Sequence, residues 1–214
     1  GGMEAAAGDG SQALINVGGS VSVVADGLSW AYATMGELYA YASDNSSLDG
    51  AAAGITIGGD VLVSATGVGI ADAYFYGITA SAFDNYGTGD VTATISIVGD
   101  VTVAATATTG YAVADVNKIS ASASTNSEAV ITIGGDLTIA ATAGATGYAS
   151  AYLDSISASA GSTSSLAAIT ISGDLSLNAT GSYAYASFSC AFTASASTDS
   201  IATITIGGDL TVAA

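Results

Sequence analysis

Five aspartates have the type and spacing that could do chemistry in this chain. Asp60, Asp100, Asp136, Asp174 and Asp209 each follow a glycine and recur at intervals of 35 to 40 residues, with Ser20 at the corresponding place upstream. If each stands above the last in neighbouring strands, the carboxylates are about 4.8 Å apart. They then repel by roughly 1 kcal/mol per pair in water, and several times that at a lower effective dielectric. Two arrangements offset this. In one, each carboxylate accepts hydrogen bonds from the backbone of its own corner, as aspartates in turns commonly do. In the other, a hard divalent cation bridges the column through its oxygens, and Ca²⁺ is the candidate cofactor. The motif is a bare Gly-Gly-Asp and lacks the longer glycine-aspartate nonapeptide of calcium-binding rolls, which favours the first.

Aromatic residues form a second set: Trp30, Tyr32, Tyr74, Tyr76, Tyr111, Tyr148, Tyr152, Tyr183 and Tyr185. They alternate with alanine, so one face of each segment is small and the other carries rings. Such a face either pairs ring on ring between neighbouring strands or offers an aromatic platform for glycans or for another molecule of the same kind. Threonines recur too, at Thr56, Thr132, Thr170 and Thr205 and at Thr102, Thr138 and Thr211. Ser96, Leu62 and Ser176 interrupt these rows, so they read as ordinary strand residues and not as an ice-binding array. Cys190 reads as a small buried hydrophobe. Asn45-Ser-Ser and Asn178-Ala-Thr match the glycosylation pattern and are expected to face solvent. Nothing resembles enzyme machinery: there is no histidine or arginine, no nucleophile–base pair, no phosphate loop and no catalytic residue to nominate.

The elements that must position these residues are repeats. INVGGSVSVVA from Ile15, ITIGGDVLVSA from Ile55, ISIVGDVTVAA from Ile95, ITIGGDLTIAA from Ile131, ITISGDLSLNA from Ile169 and ITIGGDLTVAA from Ile204 are one phrase written six times. They divide residues 1–214 into units 15–54, 55–94, 95–130, 131–168 and 169–203, with partial units at 1–14 and 204–214. A period of this length marks an array in which each unit buries its apolar face against its neighbours. Within a unit the periodicity is two. Ile131, Ile133, Leu137 and Ile139 share one face, Thr132 and Thr138 the other, and Gly134-Gly135-Asp136 makes the corner between two strands. Alanine is a strong helix former, but strict alternation in Tyr148–Leu153 and Tyr183–Phe188, and again in Ile119–Ala123 and Ile156–Ala160, predicts strands. A polar loop then closes each unit.

The expected fold is therefore all-β, a parallel β-solenoid (β-helix) of five to six coils of 35–40 residues, with three or four short strands per coil. At about 4.8 Å per coil the rod is about 25–30 Å long. An alanine-rich β-sandwich is the alternative, but a sandwich has no reason to repeat one phrase six times.

Composition narrows the partners. Half of the residues are hydrophobic and 9% charged, and the net charge is −17. Lys118 is the only basic side chain, so no nucleic-acid footprint exists and an anionic membrane surface is disfavoured. No apolar run reaches the roughly 18 residues of a transmembrane segment, and no signal peptide is visible. A single lysine leaves trypsin-like proteases almost nothing to cut, which suits an exposed material. The partial terminal units predict continuation into another copy or more of the same chain. Ile204, Ile206, Leu210 and Val212 are the expected contacts of a head-to-tail homopolymer.

Gly134–Gly144 (GGDLTIAATAG) and Gly207–Ala214 (GGDLTVAA) resemble the repeats of filamentous-haemagglutinin-type adhesins and related bacterial surface β-helix proteins. The resemblance runs through all six units. It implies secretion to the extracellular space or cell surface and a role in adhesion or a biofilm-type matrix. The chain departs from that family in its high alanine content, its single basic residue and its lack of a recognisable secretion or capping domain. The expected function is a non-enzymatic surface filament or fibre; the alternative is a monomeric adhesin shaft or glycan-binding module of a larger surface protein.

Overall fold

The computed structural model describes residues 2–8, 12–44, 50–85, 89–161, 164–189 and 192–214; Cys190 and Asn45 lie outside them. All regular structure among the described residues is strand, arranged as a parallel β-solenoid. The alanine-rich stretches are strands, as their alternation requires.

Three parallel sheets run along the rod. The first contains Gln12–Val17, Ala52–Ile57, Val91–Ile97, Ser127–Ile133, Leu166–Ile171 and Ile201–Ile206. The second contains Val21–Gly27, Val61–Gly67, Val101–Ala107, Leu137–Ala143, Leu175–Thr180 and Leu210–Ala213. The third takes up two segments of every coil. These are separate strands in the first two coils (Trp30–Met35 and Leu38–Asp44, then Ile70–Phe75 and Ile78–Asp84), with Met3–Ala7 beneath Leu38–Asp44. They fuse into one strand in Tyr111–Ala123 and in Tyr148–Ala160, then part again as Tyr183–Phe188 and Phe192–Ala196. Where they fuse, alternation slips by one residue: Asn117 and Lys118 both face outward, as do Asp154 and Ser155. That slip turns the chain around the corner, and the pairing of the two strands skips only Asn117 and Asp154.

Register follows the repeat. Ile15, Ile55, Ile95, Ile131, Ile169 and Ile204 stack in one column, and Val61, Val101, Leu137, Leu175 and Leu210 in another. Ile55, Ile57, Ile95, Ile97, Ile131, Ile133, Leu137 and Ile139 are buried, each stabilising the fold by about 1.5–3 kcal/mol. Opposite them the third sheet turns in mostly alanine: Ala71, Ala73, Ala112, Ala114, Ala149 and Ala151 are buried. Large columns thus meet small ones, and the cross-section stays thin.

Candidate functional site

The aspartates stack as the repeat predicts, but their partners are not those of an isolated turn. The Asp100 N–H donates to Asp60 Oδ1 at 3.0 Å, that of Asp136 to Asp100 Oδ1 at 2.9 Å, that of Asp174 to Asp136 Oδ1 at 2.8 Å and that of Asp209 to Asp174 Oδ1 at 2.7 Å. At the foot of the column Ser20 Oγ accepts the Asp60 N–H at 2.9 Å. The carboxylates of Asp60, Asp100, Asp136 and Asp174 therefore accept from the corner of the next coil, and not from their own corner as the sequence suggested. The Asp carbonyls point the other way and accept the N–H groups of Val21, Val61, Val101, Leu137 and Leu175 in the preceding coil. An N–H dipole lies between each carboxylate and the next, which offsets the repulsion along the column.

This latch explains the invariant glycine. A Cβ at Gly99, Gly135, Gly173 or Gly208 would overlap Oδ1 of the aspartate one coil earlier. The position before it is held by Val98 and Ser172 as well as by glycine, although a Cβ at Gly134 or Gly207 would crowd the backbone oxygen of that residue one coil earlier. Among the described residues no three carboxylate or thiol side chains converge on one point.

Two further aspartates stand where the polar loops begin. Asp44 and Asp84 are buried, and their Oδ2 atoms accept the N–H groups of Gly50 and Gly89, each at 2.9 Å. They close the loop at the opposite corner. Their recurrence at one register position of adjacent coils, each with a glycine five or six residues on, was the available signal.

The aromatic residues share one face. Trp30, Tyr32, Tyr74, Tyr111, Tyr148, Tyr152, Tyr183 and Tyr185 project from the third sheet, and Tyr76 sits at its bend. Tyr111, Tyr148 and Tyr183 form a stack with centroids 5.0 and 4.6 Å apart and planes 11° and 12° from parallel. Trp30 and Ile70 continue their register column. Tyr152 and Tyr185 meet at 5.7 Å with a 49° tilt. The rings of the stack turn their faces to one another along the rod, so what they show to solvent is mainly edges.

Acids interleave with these rings. Burial pushes the Asp72 carboxyl above the ordinary range, against a hydrogen bond from Tyr32. Burial and then the charge of Asp154 push Asp115 up to about 6, and its Oδ1 is enclosed without a partner. Lys118 reaches past Gly77 to Glu37 at 3.0 Å, and Thr79 donates to the same carboxylate oxygen at 2.6 Å. Burial works against the Glu37 charge, but the bonds from Thr79 and Lys118 and the Lys118 charge outweigh it and hold its pKa below the usual carboxylate range. At the last coil Ile204, Leu210 and Val212 are exposed and Ile206 is half-buried.

The fold and its ladders define a parallel β-solenoid, the architecture of β-helix repeat proteins. No family model, curated protein or solved structure matches the chain.

Proposed function

We propose that this chain is a non-enzymatic structural rod of an extracellular surface or matrix, lengthened into a filament by coil-on-coil stacking. The observation that carries this reading is the sameness of the coil-to-coil interface. The steps pair like residues in register, and the four from the second unit onward close with the same carboxylate-to-N–H latch. One side of a coil offers the acceptor and the other the donor, so a coil can be added wherever a coil ends, within one chain or from a second copy. Ile204, Ile206, Leu210 and Val212 are the residues such a neighbour would cover. Near-absence of lysine and arginine supports an exposed setting, because it withholds sites from trypsin-like proteases.

Negative-stain microscopy of the purified chain tests the filament. Long unbranched fibres are expected; discrete short rods at all concentrations would instead favour a monomeric adhesin shaft. Placement of the described tyrosines and Trp30 along one sheet favours that second reading where the rods also bind glycans, which a glycan array measures. Calcium enters as a further proposal, because each latch uses one carboxylate oxygen and leaves its twin available at every coil. A rise in melting midpoint with added calcium, reversed by chelator, supports the bridge; an unchanged midpoint removes it.

A further inference from the structure

Covalent chemistry between coils has few routes in this chain. One cysteine cannot form an intrachain disulfide and one lysine cannot couple to another, but there are eleven tyrosines. Three of them are held face to face. Tyr111, Tyr148 and Tyr183 occupy one register position in successive coils and are 53%, 44% and 64% exposed. Parallel rings related by little more than a translation keep corresponding atoms about as far apart as their centroids. The carbons ortho to the Tyr148 hydroxyl are therefore held near those of both neighbours, and nearer to Tyr183, at a centroid distance of 4.6 Å against 5.0 Å. Exposed side chains change rotamer within nanoseconds, so the remaining approach does not require the strands to move.

We propose that this stack is a site of oxidative cross-linking, at which a peroxidase-type one-electron oxidant supplied with hydrogen peroxide joins Tyr148 to Tyr183 through a carbon–carbon bond. Each phenol gives up one electron and one proton and becomes a phenoxyl radical. The two radicals pair at ortho carbons, and the two displaced ring hydrogens return to the oxygens as aromaticity is restored. Two phenols lose two electrons and two protons, and one hydrogen peroxide becomes two waters. Holding the second ring against the first raises its effective concentration well above that of any ring in a separate molecule. The other aromatic pairs are less favourable: Tyr152 and Tyr185 are tilted by 49°, and Tyr39 and Tyr41 lie 6.3 Å apart. The product is a staple across neighbouring coils.

The proposal rests on the stack alone and holds equally for a rod that stays monomeric. The test treats the dilute chain with peroxidase and hydrogen peroxide, then measures dityrosine fluorescence and maps cross-linked peptides by mass spectrometry after cleavage at aspartate. The expected main product has the size of one chain and links Tyr148 to Tyr183. Tyr148→Phe keeps the ring and the fold but should lower the intrachain yield several-fold. Tyr183→Phe should divert coupling to Tyr111–Tyr148, and Tyr76→Phe should change nothing. An undiminished yield in Tyr148→Phe, links scattered over the tyrosines, or links found only between molecules would each overturn the proposal.

Discussion

The Gly-Asp corner and the tyrosine stack are both vertical ladders, yet one varies only in the first unit, where Ser20 stands for aspartate, and the other varies in two coils. From the second unit onward every corner keeps its glycine and its aspartate. The tyrosine column accepts Trp30 and Ile70 in the same register. The difference lies in what each ladder touches. At the corner a side chain bonds the backbone of the next coil, so both the acceptor and the space beside it are fixed. In the tyrosine column ring packs on ring, and any ring or branched aliphatic fills the row. Backbone-directed ladders set the fold, whereas ladders between side chains adjust a surface.

The sharpest way to break this comparison is to fill the corner. Gly135→Ala would drive a methyl group into the Asp100 carboxylate and crowd its backbone nitrogen. We expect a loss of about 3 kcal/mol, at the upper end of ordinary overpacking, read as a lowered midpoint in urea unfolding. A change under about 0.5 kcal/mol, the size of ordinary surface substitutions, would mean that the corner relaxes freely and the distinction fails.

Removing the acceptor comes next. Asp136→Ala leaves the Asp174 N–H without its partner, at a corner where water can partly replace it, so the expected cost is about 1–2 kcal/mol. Asp136→Asn keeps a carbonyl acceptor and removes one charge from the column, and should recover most of that loss. If Asn behaves like Ala, charge and not the hydrogen bond holds the corner. On the aromatic face, Tyr148→Ala removes two ring contacts and should cost about 1 kcal/mol, while Tyr148→Phe should be close to neutral. A larger loss for Tyr148→Ala than for Asp136→Ala would reverse the ranking.

Period and alternation made the architecture legible. The phrase beginning at Ile131 specified which side chains go inward, and stacking of the aspartates followed from that. The direction of the latch was not legible, because whether Asp136 bonds its own corner or the next depends on how far neighbouring coils are offset, and that is a three-dimensional quantity. Fusion of two strands in Tyr111–Ala123 escaped for a related reason. Gly36 and Gly77 break the segment in the first two coils, but Asn117-Lys118 lets it run on. Glu37 and Lys118 are 81 positions apart in the sequence, and only the side-chain-free Gly77 between them lets the pair meet. The face-to-face packing of Tyr111, Tyr148 and Tyr183 depends on rotamers, so an outward row of rings was all that spacing could give.

The smallest expected effect concerns the acids among the rings. In the fold Asp115 has a pKa of about 6 against an ordinary value of 3.8, from burial first and the Asp154 charge second. An acid whose pKa is raised by folding favours the fold while protonated. Its contribution is complete below about pH 3.8 and is lost as pH rises through about 6. Asp115→Asn should therefore be more stable than the parent above pH 6 and no more stable below pH 4. The gap should be about 1 kcal/mol or less, once solvent screening of a half-exposed group is allowed for. Glu37 acts oppositely: its lowered pKa contributes stability that fades as pH falls, and it does so in both proteins. Relief of general self-repulsion on acidification is shared too, so the quantity to measure is the difference in melting midpoint between variant and parent from pH 4 to pH 7. A difference that grows through that window ties the aromatic face to the charge state of Asp115. A constant difference would mean that the substitution acts through packing, and that this face, like the corner, is governed by fit.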